Sequence, residues 1–111
     1  MKIEFNSTHK VIKDIFVAYG FSAENAEIIT NSLLAADLSG IESHGVQRMV
    51  RYDDAIERNF VDVGANPEIV WETPISAVID AKKSMGQIVS EQAMKIAIEK
   101  AKTSGMGMGC C

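Results

Sequence analysis

The sequence predicts an α+β fold, with three helices followed by strand, strand, helix and strand. Three observations predict it. Apolar residues recur every three or four positions as far as Phe60, the period of helices with one buried face. Past Gly64 and Pro67 that period gives way to two short runs rich in β-branched residues, Glu68 to Thr73 and Ser76 to Asp80. Helical spacing then returns from Gln87 to Thr103 and leads into a glycine-rich tail. The expected division is a helical domain over residues 1–66 and the beginning of a second domain over 67–111.

The first helix is expected over residues 8–19, with Ser7 as its N-cap and Gly20 as its stop. Val11, Ile12, Ile15, Phe16 and Tyr19 form its apolar face, and His9 is expected to be solvated in its first turn. Ser22 caps a second helix, where Glu24 and Glu27 suit the positive end of the macrodipole. Its stripe is Ala26, Ile29, Leu33 and Ala36, and Gly40 ends it. A third helix is expected to begin between Ser43 and Gly45 and to run to Asn59. Val46, Met49, Val50, Ile56 and Phe60 make its apolar face, while His44, Arg48, Arg51 and Ala55 share the opposite side. Asp53 falls inside the apolar arc, where the sequence offers no partner for it.

Phe60 to Pro67 reads as a connection. The two β runs are separated only by Pro74 and Ile75, and the sequence leaves open whether they pair as a hairpin. Lys82 to Gly86 reads as a loop before the fourth helix, whose face is Val89, Ala93, Ile96, Ala97 and Ala101. Met94 and Ile98 widen that face, so burial on more than one side is expected. Gly105, Gly107 and Gly109 alternate with Met106 and Met108, but the spacing is not that of a dinucleotide-binding loop and no helix follows. The run is read as the start of a strand, and the chain as one that stops in mid-fold.

With 47% apolar and 23% charged residues the chain is a globular protein rather than a disordered one. At 111 residues it depends on good packing or on a partner. A net charge of −4 without any basic run argues against nucleic acid as a partner. The N-terminus has no signal-like apolar stretch and no later segment is long enough to span a bilayer, so no membrane association is expected and the expected location is the cytoplasm. Cys110 and Cys111 are adjacent, a poor geometry for a disulfide, and lack the spacing of a zinc site; no metal is expected.

The chemistry concentrates in Ala36-Asp37-Leu38-Ser39-Gly40-Ile41-Glu42-Ser43-His44-Gly45-Val46-Gln47-Arg48, which holds one of the chain's two histidines. An imidazole, with an ordinary pKa of about 6.5, exchanges protons near neutrality. A guanidinium offers a planar fork that matches a carboxylate. Four residues apart, His44 and Arg48 share a face if a helix opens here, and describe a site that holds a small carboxylic acid and moves a proton on it.

The whole string resembles the N-terminal signature of the malate/L-lactate dehydrogenase family, which includes ureidoglycolate and 2,3-diketogulonate dehydrogenases. The likeness continues through Tyr52 to Phe60, Gly64 to Pro67, Ile79-Asp80, Gly86-Gln87 and the run from Ala93 to Lys102. It departs at Ser39, where a basic residue is usual, and at Glu42, where Asp is usual. The resemblance implies a non-Rossmann, largely antiparallel NAD(P)-binding domain of which this chain supplies the opening elements. It implies His44 as proton donor to the substrate carbonyl, Ser43 orienting it, and Arg48, bordered by Tyr52, binding the substrate carboxylate. It also implies NAD or NADP as cofactor, a small 2-hydroxy or 2-keto acid as substrate, and a homodimer. Family members are several times longer, so the isolated chain is expected to be inactive. The competing expectation is a non-enzymatic helical module that binds a partner, such as a full-length homologue.

Overall fold

In the computed structural model, which describes residues 2–111, the chain forms two units, Met1–Gly64 and Ala65–Cys111. In the first, helix α1 spans Phe5–Tyr19, earlier than expected, because Glu4 and not Ser7 is its cap. The Glu4 carboxylate accepts from the backbone N–H of Asn6 at 2.9 Å and of Ser7 at 2.6 Å, satisfying two of the helix's free donors. Those bonds, with the Ser7 side chain contributing most, hold the carboxyl below its ordinary range. Gly20, in the left-handed region at φ 110°, closes the helix by donating to the carbonyls of Phe16 and Val17.

Helix α2, Ala23–Leu38, starts at Ser22, whose hydroxyl accepts from Asn25 N–H at 3.1 Å. α1 and α2 pack through Ile12, Phe16, Ile29 and Leu33, all buried, with the Phe16 and Phe21 rings edge to face at 6.0 Å. Each such side chain contributes about 1.5–3 kcal/mol when fully buried. Thr30, fully buried, donates its hydroxyl to the Ala26 carbonyl at 2.7 Å and so costs the core nothing unpaired. Val11 stays exposed on the outer side of α1. His9 is not the solvated residue expected: its Nε2 lies 2.9 Å from Asn31 Oδ1 and 3.0 Å from Glu27 Oε1. Lys13 reaches the other oxygen of Glu27 at 2.6 Å, and its ammonium is the main reason the Glu27 carboxyl sits low.

The third helix begins later than the spacing suggests. Two 3₁₀ turns, Glu42–His44 and Val46–Arg48, precede α3, which spans Met49–Glu57. Gly45 between them is extended, at φ −87° and ψ −156°, and breaks any continuous helix from Ser43. The helical-wheel stripe of His44, Arg48, Arg51 and Ala55 therefore does not exist as one helix face. Val50 and Phe60, expected on the apolar side, are exposed. Asp53, unexplained by sequence, accepts a hydrogen bond from the Tyr19 hydroxyl.

In the second unit β1 (Glu68–Thr73) and β2 (Ser76–Asp80) pair antiparallel, with an irregularity between Ile69 and Trp71. The short link works because the Thr73 hydroxyl accepts from Ser76 N–H at 3.0 Å and bonds the Ser76 hydroxyl at 2.6 Å. Helix α4 (Gly86–Ser104) crosses over to β3 (Met108–Cys110), which lies parallel to β2, so the sheet order is β1-β2-β3. Ile79, Val89 and Ala93 form the core between sheet and helix, flanked by Ala81 and Ile96. Only that side of α4 is covered, so Met94 and Ile98 are exposed, against the expectation of burial on more than one side. Lys100 folds back, donating to the Thr73 carbonyl at 2.7 Å and to Glu72 at 3.0 Å. No helix among the described residues is long and apolar enough to cross a membrane.

Candidate functional site

The segment between α2 and α3 is shaped by a carboxylate at an unfavourable place. Asp37 stands in the last turn of α2, where the helix dipole disfavours negative charge. Its Oδ2 accepts from Val46 N–H at 2.9 Å, nine residues on. A methyl in place of the Gly45 hydrogen would stand 1.7 Å from Asp37 Oδ1, so only glycine allows this approach. Gly40, at φ 74°, turns the chain out of α2, and Ile41 donates back to the Ala36 carbonyl at 2.8 Å.

The two 3₁₀ turns bring Ser43, His44 and Arg48 together. Ser43 Oγ lies 3.0 Å from His44 Nδ1. Arg48 donates from Nε to the Ser43 carbonyl at 2.8 Å, and its Nη2 faces His44 Nε2 at 3.5 Å. A guanidinium has only donors, so the Nε2 facing it presents its lone pair. The proton then sits on Nδ1 and is donated to the Ser43 hydroxyl. Gln47 braces the first turn by donating to the Glu42 carbonyl at 2.6 Å. Ser43 and His44 are exposed, while Arg48 and Tyr52 are half-buried. Tyr52 sits on α3 one turn beyond Arg48. Arg51, from the same expected stripe, is exposed on α3 and has no part in the array.

This arrangement sets an imidazole nitrogen, its lone pair turned toward Arg48 Nη2, beside a guanidinium that also donates to the Ser43 carbonyl. A small acid with a hydroxyl next to its carboxylate suits both: the carboxylate on the fork of Arg48, the hydroxyl against His44 Nε2. Sequence reasoning passed over Asp37 although it lies in the same string. The available signal was an acid in the last turn of a helix.

A nicotinamide cofactor needs a cradle for its phosphates, and the glycines near the C-terminal end do not make one. Methyl groups at Gly107 and Gly109 would stand 1.9 Å from the Ala97 carbonyl oxygen and 2.5 Å from that of Ala93. These glycines let β3 lie against the backbone of α4, as the reading of a strand start expects, and leave no opening for a diphosphate. Among the described residues no group of three or more His, Cys, Asp or Glu side chains is placed to hold a metal ion.

A family model described as malate/L-lactate dehydrogenase matches residues 3–111. A malate dehydrogenase of Pyrococcus abyssi is 42% identical over 94 residues, 85% of this chain and 26% of the relative. An L-sulfolactate dehydrogenase of Methanocaldococcus jannaschii is 37% identical over 99 residues, 89% of this chain and 29% of the relative. The solved malate dehydrogenase of Pyrococcus horikoshii OT3 superposes with a TM-score of 0.94 at 36% identity, over 98% of this chain and 31% of that one. The chain thus spans between a quarter and a third of the length of the relatives it matches.

Proposed function

The chain belongs to the malate/L-lactate dehydrogenase family, and from that premise we propose that it is the N-terminal part of an NAD(P)-dependent oxidoreductase. The enzyme interconverts a small 2-hydroxy acid, of the malate, lactate or ureidoglycolate kind, and its 2-keto acid. Residues 1–66 are its helical domain and 67–111 the opening of the domain for cofactor and substrate. The observation that carries this reading is the array in which His44 Nε2 faces Arg48 Nη2 at 3.5 Å with Ser43 on the other ring nitrogen.

Arg48 binds the substrate carboxylate, with Tyr52 bordering it. In the direction of oxidation, His44 Nε2 takes the hydroxyl proton as the carbon–oxygen bond becomes a carbonyl. In the direction of reduction, the imidazolium returns that proton to the developing alkoxide, and Ser43 accepts from Nδ1 and keeps the ring turned toward the substrate. A positioned acid–base group contributes about 10²–10⁴-fold. Bound NAD or NADP supplies or accepts the hydride, and no residue of this chain is assigned to hold it. The working enzyme is a cytoplasmic homodimer, and residues 1–111 alone do not turn over.

The test is oxidation of NADH or NADPH with a panel of 2-keto acids. It is run on the species carrying residues 1–111 recovered from its source cells, with intact mass measured alongside, and on its His44→Ala variant. A rate that His44→Ala leaves unchanged refutes the assignment. A second reading, a non-enzymatic module that binds a partner, draws support from the exposed Leu38, Val50, Phe60 and Trp71. That reading expects His44→Ala to be tolerated and no keto acid to be reduced.

A further inference from the structure

We propose that Asp37 is a positioning residue for the Ser43–His44–Arg48 array, acting through the backbone of the second 3₁₀ turn rather than by touching substrate. The inference rests on that array being the working site. Its physical basis is the single bond from Val46 N–H to Asp37 Oδ2, 2.9 Å long, which joins the end of α2 to the turn that carries Arg48. Neither 3₁₀ turn has a side-chain cap of its own. Without this bond the first free N–H of the second turn has no acceptor, and the bonds left at Gly45, from its N–H to the Glu42 carbonyl and from Arg48 N–H to its carbonyl, both 3.0 Å, lie within the two turns and do not reach α2. The Arg48 guanidinium, in turn, reaches back across the joint to the Ser43 carbonyl and to His44. The relative placement of the two turns therefore sets whether imidazole and guanidinium meet.

Two features show that the contact is selected for by the local geometry rather than incidental. The carboxylate stands at the helix end where charge is disfavoured, so its retention needs a compensating donor. Gly45, buried, gives up a side chain to the space that Asp37 Oδ1 fills.

The experiment uses the 111-residue chain and NMR. Its readouts are the imidazole nitrogen shifts of His44, which report the ring tautomer, and hydrogen exchange at the Val46 amide. In Asp37→Ala the Nδ1–H tautomer signature of His44 is lost, and Val46 exchanges about tenfold faster or more, as loss of one hydrogen bond predicts. Gly45→Ala, which pushes the carboxylate aside, gives the same two changes. Asp37→Asn keeps an acceptor oxygen and restores both readouts to those of the parent chain. The proposal is overturned if Asp37→Ala or Gly45→Ala retains the parent signature, or if Asp37→Asn fails to restore it. Collapse of the whole helical spectrum in both Asp37→Ala and Gly45→Ala also overturns it, in favour of a role in folding alone. None of these readouts depends on turnover. Failure here leaves the dehydrogenase reading standing, and an inactive enzyme with an intact array would refute that reading alone.

Discussion

The Tyr19 hydroxyl donates to the carboxylate of Asp53, tying the last turn of α1 to the middle of α3. Both side chains are half-buried, and the bond to Asp53 is the main reason the phenol's pKa is raised. Tyr19→Phe is expected to cost about 1.5–3 kcal/mol, the range for a hydrogen bond to a charged group. Urea unfolding measures it, and Asp53→Asn, which keeps an acceptor, should lose less. The phenol ionises less readily folded than unfolded, so its contribution is full below the ordinary tyrosine pKa of about 10 and is lost as pH rises through the folded value. Urea midpoints that fall equally in parent and Tyr19→Phe above that pH would sink this account.

The Glu4 cap makes the opposite prediction at acid pH. Its carboxyl is depressed by the bonds to Ser7 and Asn6, so its contribution is present above the ordinary carboxylate pKa of about 4.3 and is lost as pH falls through the folded value. Amide shifts of Asn6 and Ser7 should titrate together on the acid side of that value, and Glu4→Ala should abolish the joint transition. Independent midpoints at the two amides would show that the cap does not act as one unit.

Gly107 and Gly109 are where a single methyl should do most harm in the second unit. Alanine at either forces β3 away from α4 and should cost about 1–3 kcal/mol, the range for an overpacked interior. Gly86→Ala is the control. A Cβ there meets nothing within 4 Å, and alanine in a helix is favoured over glycine by about 0.5–1 kcal/mol. Thermal unfolding should rank Gly86→Ala at or above the parent and both tail variants below it.

In the enzyme that carries this chain, His44→Ala should lower kcat by about 10²–10⁴-fold. Arg48→Lys retains charge but loses the fork, and should raise KM for a 2-keto acid by about tenfold or more. Steady-state kinetics with the two variants separate proton transfer from carboxylate binding. A KM unaffected by Arg48→Lys would remove Arg48 from the substrate site.

The legible parts of the fold were those set by neighbours in sequence. The period of Ile12 and Phe16, the cap at Ser22 and the β-branched runs each predicted the element found there. The signature string singles out Ser43, His44 and Arg48, which the two 3₁₀ turns bring together. What stayed hidden depends on contacts between distant residues. The extended Gly45 that delays α3 sits beside a bond between Asp37 and Val46, nine residues apart, which no helical period encodes. Asp53 looked misplaced because its partner, Tyr19, lies 34 residues away. Met94 and Ile98 were misjudged for another reason: hydrophobic spacing reports which side chains prefer burial, not whether this chain supplies the surface to bury them.

The parallel ladder between β2 and β3 also has a consequence in time. Ser76 to Val78 pair with Met108 to Cys110, so this ladder cannot form until about thirty intervening residues, α4 included, have been made and looped back. The α1–α2 pair joins residues much nearer in sequence and can close while the rest is still inside the ribosome. The joint that presents His44 is therefore made before β3.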